Sequence, residues 1–196
     1  MIDLIILANL LDGPKHGYAL KKQAGMVFAH SDLHNNLVYP LLRRFTSQGW
    51  VTKKSAPGER GQTRQQYALT PAGRRTLLER LNSFGEKEAY STQEFLVRVG
   101  LFALLDQGAR RSILAARQQI LTRRDEHFAQ LQQMELGVYG GQVVDFLRQG
   151  VKQELAWLQR LRRLPDISEA SSGNSCARSR LRPAAAAHNS NSRSTS

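Results

Sequence analysis

The chain has 196 residues and one cysteine, Cys176, so an internal disulfide framework and a multi-cysteine metal site are both excluded. Its five histidines (His16, His30, His34, His127 and His188) are read as scattered, and no metal or other cofactor is expected. Long apolar runs are also missing. The richest stretch, Leu4 to Leu11, is interrupted by Asn9 and falls well short of the roughly 18 residues a membrane span needs. It has neither a basic start nor a small-residue cleavage site, so no signal peptide and a cytoplasmic location are expected. Paired carboxylates, a nucleophile beside a base and a phosphate-cradling glycine loop are absent, and this sets enzymes aside.

Acidic residues are few against basic ones, 16 against 28, for a formal net charge of +12. The excess is uneven. Residues 1–84 hold 12 basic and 5 acidic side chains, residues 85–164 hold 12 and 9, and residues 165–196 hold 4 and 2. A concentrated basic surplus is the electrostatic footprint of a polyanion-binding segment. The rest of the composition, 41% hydrophobic and 22% charged, is that of an ordinary globular protein.

Three parts are expected: residues 1–84, residues 85–164 and residues 165–196. The last is rich in Ser, Asn, Ala and Arg and almost devoid of large apolar residues, so it reads as a disordered tail. Within it Arg178, Arg180, Arg182 and Arg193 are read as solvated, and Cys176 as a free thiol.

The first part reads as helix, helix, helix, hairpin, helix. Ile2, Ile5, Ile6 and Leu10 follow helical spacing up to Asp12-Gly13-Pro14. A second helix from Gly17 sets Tyr18, Leu20, Ala24 and Val27 on an apolar face, with Lys21 and Lys22 outside. A third, capped by Asn35 or Asn36, buries Leu37, Leu41, Leu42 and Phe45. It places Pro40 in or near its first turn, and Gly49 terminates it. Residues 50–54 and 63–69 alternate as two strands around a turn marked by Pro57-Gly58 and Arg60-Gly61. Thr70-Pro71 opens a fourth helix. This order is that of a winged helix-turn-helix with a two-stranded wing.

His16-Gly17-Tyr18, Tyr39-Pro40-Leu41-Leu42-Arg43-Arg44-Phe45, Gly49-Trp50-Val51, Arg64-Gln65-Gln66-Tyr67 and Leu69-Thr70-Pro71-Ala72-Gly73-Arg74 stand in one order and spacing across residues 1–84. In these five blocks the chain resembles the phenolic acid decarboxylase regulator (PadR) family. Where that family often has Gly-Thr-Leu or Gly-Ser-Leu before the tyrosine, this chain has Asn36-Leu37-Val38. The resemblance implies a transcriptional regulator, commonly a repressor released by a small effector, with the longer C-terminal dimerisation domain of one branch.

A third helix in the major groove reaches base edges from its N-terminal end. His34, Asn35, Asn36, Val38 and Tyr39 occupy that end. Asn suits the adenine edge, although helix capping is an equal use of either asparagine. The resemblance implies that Tyr39 lies against a phosphate, and packing is its alternative. Arg43 and Arg44 sit later and suit phosphate positioning. Lys53, Lys54, Arg60 and Arg64 on the wing, with Lys21 and Lys22 on the second helix, complete the expected contacts to double-stranded DNA.

Residues 85–164 read as all-helical with three apolar stripes. Phe95, Leu96, Val99, Phe102 and Ala103 form the first. Ile113, Leu114, Ile120, Leu121, Phe128, Leu131 and Met134 form the second. Val144, Leu147, Val151, Leu158 and Leu161 form the third, with Leu155 beside it and Glu154 breaking it. Gly137, Gly140 and Gly141 are expected to separate the last two helices. So much apolar face on one segment argues for a homodimer through Val144, Leu147, Val151, Leu155, Leu158 and Leu161. Trp157, Phe146, Phe102 and Phe128 are expected in core and interface packing rather than around an effector.

The fold class expected is therefore mainly α, an N-terminal winged helix-turn-helix followed by an all-helical dimerisation domain. The function expected is a dimeric DNA-binding regulator on an inverted repeat. A MarR-type regulator is disfavoured, because helical dimerising material would have to precede a first helix that starts near Met1. A module whose basic face binds an acidic protein partner is the alternative from a different class.

Overall fold

Ile2–Asn9 (α1) has only Asp3 and Asn9 as polar side chains, and a helix apolar nearly all round has to be buried. In the computed structural model, which describes residues 1–27, 35–57 and 63–164, it is: Leu4, Ile5, Ile6 and Leu7 lie in the core. Each such side chain contributes about 1.5–3 kcal/mol on burial, so α1 is the centre on which the N-terminal elements pack. Asn9 turns its amide back onto the Ile5 carbonyl, 2.9 Å away.

Lys15–His16 (β1) leads into Gly17–Val27 (α2), and Asn35–Ser47 (α3) follows. Val51–Pro57 (β2) and Thr63–Leu69 (β3) form the wing, and Pro71–Asn82 (α4) closes this part. The sheet has three strands in the order β1-β3-β2, all antiparallel, rather than the two expected. Lys15 pairs with Tyr67 and His16 with Gln66. A two-residue strand has no periodicity to read, so only the approach of β3 reveals it. The β2–β3 register runs from Val51 opposite Leu69 to Pro57 opposite Thr63.

The buried stripes differ in phase from the sequence reading. On α3 the core takes Val38, Leu42 and Phe45, while Leu37 is exposed. Val38 is therefore removed from the side chains available to a base edge. Apolar residues at both 37 and 38 fit either rotation of the helix, and packing against α2 and β2 selects one. On α2 Leu20 and Ala24 face inward, but Tyr18 is 72% exposed. Pro40 is the sixth residue of α3 rather than a first-turn residue, so the helix forgoes one backbone bond there.

The end of α3 is built as the sequence implies. Gly49 takes φ +70°, and the Trp50 amide bonds the Phe45 carbonyl at 2.9 Å, which satisfies carbonyls the helix leaves open. Thr70 caps α4 by accepting from the Gly73 amide at 3.0 Å. Its hydroxyl proton is shared between the carbonyls of Gly49 and Trp50, at 2.7 and 3.0 Å. A Cβ at Gly73 would stand 2.1 Å from the Trp50 carbonyl oxygen, so the Leu-Thr-Pro-x-Gly segment is the lock between α4 and the root of the wing.

Beyond α4 come Glu86–Tyr90 (α5), Thr92–Gly100 (α6), a 3-10 turn at Phe102–Leu104, Gln107–Leu131 (α7) and Gly137–Arg162 (α8). On α6 the buried residues are Phe95, Val97 and Arg98, whereas Leu96 is exposed. Met134 is likewise exposed past the end of α7. Gly137, at φ +64°, makes the break before α8, but Gly140 and Gly141 lie within that helix. Trp157 meets Phe95 edge-on at 6.0 Å and Phe102 and Phe128 pack on the core, while Phe146 is exposed.

The proposed dimer stripe also needs correction. Val144, Val151 and Leu158 are buried within the chain itself, and Leu155 and Leu161 pack against the same core. Leu147 is the exposed member of the six. Antiparallel packing of α8 on α7 takes up the a/d-like positions. The apolar residues left outside are Val138, Tyr139, Val143, Phe146 and Leu147.

Two buried arginines tie these helices together. Arg98 donates to the Glu94 carboxylate at 2.6 Å and to the Ser83 carbonyl at 3.0 Å, with its plane over Phe84. Arg117 of α7 is fully buried and makes a two-pronged bond to Glu154 of α8, at 2.7 and 2.9 Å. It also bonds the Ala89 carbonyl at 2.6 Å and the Thr92 hydroxyl at 2.7 Å, and lies over the Phe95 ring. Glu154→Ala would strand this guanidinium and is expected to cost about 3–5 kcal/mol, read as a lower urea midpoint at unchanged m. The double variant Arg117→Met, Glu154→Met should lose less than the two single losses combined, and strict additivity would show that the pair is not coupled.

Candidate nucleic-acid interface

A groove forms where the start of α2, the exposed side of α3 and the wing converge. It has a volume of about 550 Å³ and is lined by His16, Gly17, Tyr18, Tyr39, Arg43, Lys53, Arg64, Gln65 and Tyr67. The backbone explains the convergence. Pairing of β1 with β3 brings His16 beside Gln66 and starts α2 at the edge of the sheet. The β2–β3 register sets Lys53 opposite Tyr67, so both project to one side of the wing.

Gly17 permits the closest approach in the groove. A Cβ there would lie 2.9 Å from Cε1 of Tyr39 and 3.5 Å from the Tyr67 ring. Burial pushes the Tyr67 hydroxyl above the ordinary phenol value, and Tyr39 adds to this against the smaller opposing pull of Arg43. Tyr67 therefore stays protonated at neutral pH and keeps a donor. Five nitrogen-bearing side chains, three tyrosines and a helix N-terminus in one open groove supply the donors and positive charge that an anion requires. Among the described residues no carboxylate lines it.

Of the residues expected from sequence, Tyr39, Arg43, Lys53 and Arg64 meet in the groove. Lys22, Arg44 and Lys54 are exposed and Lys21 is half-buried, all four outside the groove lining. Arg44 lies over the Phe45 ring, and Lys54 pairs across from Gln66 on the opposite face of β2 from Lys53. His34 and Arg60 lie outside the described residues, and Asn35 and Asn36 are described only as helix backbone. His16, Tyr18, Gln65 and Tyr67 were not among the expected contacts. The signal was present in the His16-Gly17-Tyr18 and Arg64-Gln65-Gln66-Tyr67 blocks, but their meeting depends on the short β1 strand.

Among the described residues no group of three or more His, Cys, Asp or Glu is placed to hold a metal ion. The histidines are less scattered than the opening reading has them, since His30 and His34 are four residues apart around Asp32. That segment lies outside the described residues, as do Cys176 and the whole of residues 165–196. Among the described residues no helix is long and apolar enough to cross a membrane.

Residues 6–79 match the model of the Transcriptional regulator PadR-like family. Over these residues the chain belongs to this family. PadR-like proteins are transcriptional regulators, and family and winged-helix fold alike are those of DNA-binding regulators rather than of enzymes. Among solved structures, TA0346 of Thermoplasma acidophilum, a candidate transcriptional regulator, is 33% identical over 40% of this chain and 74% of its own, with a TM-score of 0.36. Bacillus subtilis PadR with operator DNA is 17% identical over 82% of this chain and 95% of its own, with a TM-score of 0.41. The same protein with p-coumaric acid is 16% identical over 82% and 96%, with a TM-score of 0.39. Among curated proteins no match is found.

Gly17→Ala is expected to displace the Tyr39 ring and weaken duplex binding about tenfold, while the thermal midpoint falls by no more than a few degrees. Fluorescence anisotropy and thermal unfolding on the same preparation check this. Unchanged affinity would show that the Tyr39 position is immaterial to binding.

Proposed function

We propose that this PadR-like protein is a homodimeric repressor that reads an inverted-repeat operator and is released by a small effector. Residues 1–84 bind DNA and residues 85–164 dimerise. The observation that carries the DNA reading is the groove itself, where recognition helix and wing turn Arg43, Lys53 and Arg64 to one side with no opposing carboxylate among the described residues. Phosphate neutralisation supplies most of the affinity of such a surface, and the N-terminal end of α3 supplies sequence reading. His34, Asn35, Asn36 and Tyr39 take that end, Arg43 and Arg44 the phosphates beside it, and Lys53, Lys54, Arg60 and Arg64 the flank reached by the wing. Lys21 and Lys22 extend the basic face along α2.

The dimer reading is supported by apolar surface that the chain leaves uncovered. Tyr139 is 88% and Phe146 is 76% exposed, and Val138, Val143 and Leu147 extend the same ridge on α8. A second apolar surface lies between α1 and α6, where Ile5, Leu11, Leu96, Leu101 and Leu104 line a groove of about 450 Å³. Two-fold pairing that lays ridge against groove buries both and sets the separation of the two α3 helices. An effector that alters that separation alters operator fit.

The direct test is binding to the DNA upstream of the chain's own gene and to a scrambled duplex, each at low and physiological salt. Preference that survives physiological salt is expected, and equal affinities that collapse together with salt would defeat the operator reading. Lys53→Ala should reduce the slope of log K against log salt by about 0.9 per protomer while leaving the preference ratio unchanged. For the dimer, Phe146→Asp is expected to yield folded monomer by sedimentation with the helical circular dichroism retained. A variant that stays dimeric would remove the α8 ridge from the interface.

A further inference from the structure

We propose that His16 contacts a DNA phosphate through Nε2 and that this contact takes up a proton, making duplex binding depend on pH. The proposal rests on the DNA-binding function above and adds a residue and a linkage to it. His16 is fixed by its backbone pairing with Gln66, and its Nδ1 lies 3.3 Å from the Gln65 carbonyl oxygen. A carbonyl only accepts, so Nδ1 holds its hydrogen whether the ring is neutral or charged. Nε2 is then the nitrogen that gains and loses the proton, and the polar atom His16 has left to offer the groove it lines.

The two charge states meet an anion in opposite ways. A neutral ring presents a lone pair at Nε2, which repels a phosphate oxygen. A protonated ring presents a charge-assisted donor, which is stronger than a neutral hydrogen bond. The surroundings favour phosphate at this point. Tyr18 and the first turn of α2 adjoin His16, Tyr39 and Arg43 face it from α3, Lys53 from β2, and Arg64 and Tyr67 from β3. Lys15, the other residue of β1, is engaged by Asp12 at 3.7 Å, and Lys21 and Lys22 continue along α2. Among the described residues no carboxylate lines the groove to compete for the ring. Tyr67 stays a phenol at neutral pH, and among the described lining residues His16 is the one imidazole.

A phosphate contact does not depend on base sequence, so a mixed-sequence duplex serves as the probe. The full chain should bind it about five- to tenfold more tightly near pH 6 than near pH 8, with a salt slope steeper by about 0.9 per protomer at the lower pH. In His16→Gln, whose amide can still donate to Gln65, affinity should be flat across this range and equal to the weaker wild-type value. The variant His30→Gln, His34→Gln should keep the wild-type dependence. Wild-type affinity that ignores pH, or dependence that survives in His16→Gln or vanishes with His30 and His34, overturns the proposal. Nitrogen-15 spectra of the imidazole give a check that needs no variant: above neutral pH the His16 ring should be the Nδ1–H tautomer, and the Nε2–H tautomer overturns it. Failure to bind any duplex at either pH would remove the DNA-binding function as well, which separates the two outcomes.

Discussion

The guanidinium of Arg117 holds the C-terminal half of this protein in register. Five N–H groups in one rigid plane reach α8 through Glu154, the end of α5 through the carbonyls of Ala89 and Tyr90, and the start of α6 through Thr92. A fully buried charge tolerates no loosening, because any helix that withdrew would leave it unpaired at low dielectric. Such a group adds little net stability compared with an apolar replacement, but it specifies which backbone atoms must meet. Phe95 lies under it and meets Trp157 edge-on, so the polar and aromatic layers fix the same geometry.

A second joint positions the interface. The tight turn at Gly49, the Trp50 carbonyl and the Thr70 cap put the end of α3, the root of the wing and the start of α4 within hydrogen-bonding distance of one another. Arg80 of α4 stacks over the Trp50 ring at 4.8 Å and pairs with Asp3 of α1. The relative angle of recognition helix and wing is thus set from beneath, by residues that need not touch DNA. The basic side chains of the groove lie above this joint, on the side that α3 and the wing share.

The apolar surplus on α8 follows from the same economy of faces. A 26-residue helix packed antiparallel on α7 buries one stripe, and its sequence carries apolar residues on a wider arc. Val144, Val151 and Leu158 satisfy the chain, and Tyr139, Val143 and Phe146 remain for another surface. These exposed side chains are the surface that the proposed dimer covers.

Local chemistry made much of this protein legible without coordinates. Gly49 as a terminator, Thr70-Pro71 as an initiator and the strand at residues 63–69 are decided within a few residues, and each stands as read. The winged-helix order and four of the groove residues, Tyr39, Arg43, Lys53 and Arg64, follow from those short-range rules. What the sequence left open was rotation and pairing. Leu37 and Val38 are both apolar, so only packing on α2 and β2 decides which one is buried. Lys15–His16 is too short to have a period, and it becomes a strand because β3 lies alongside; that pairing carries His16 and Tyr18 into the groove. Glu154 reads as a flaw in an apolar stripe until Arg117, 37 residues earlier, is seen to require it. In each case the deciding partner is distant in sequence, and a pattern confined to one helix or strand holds no information about it.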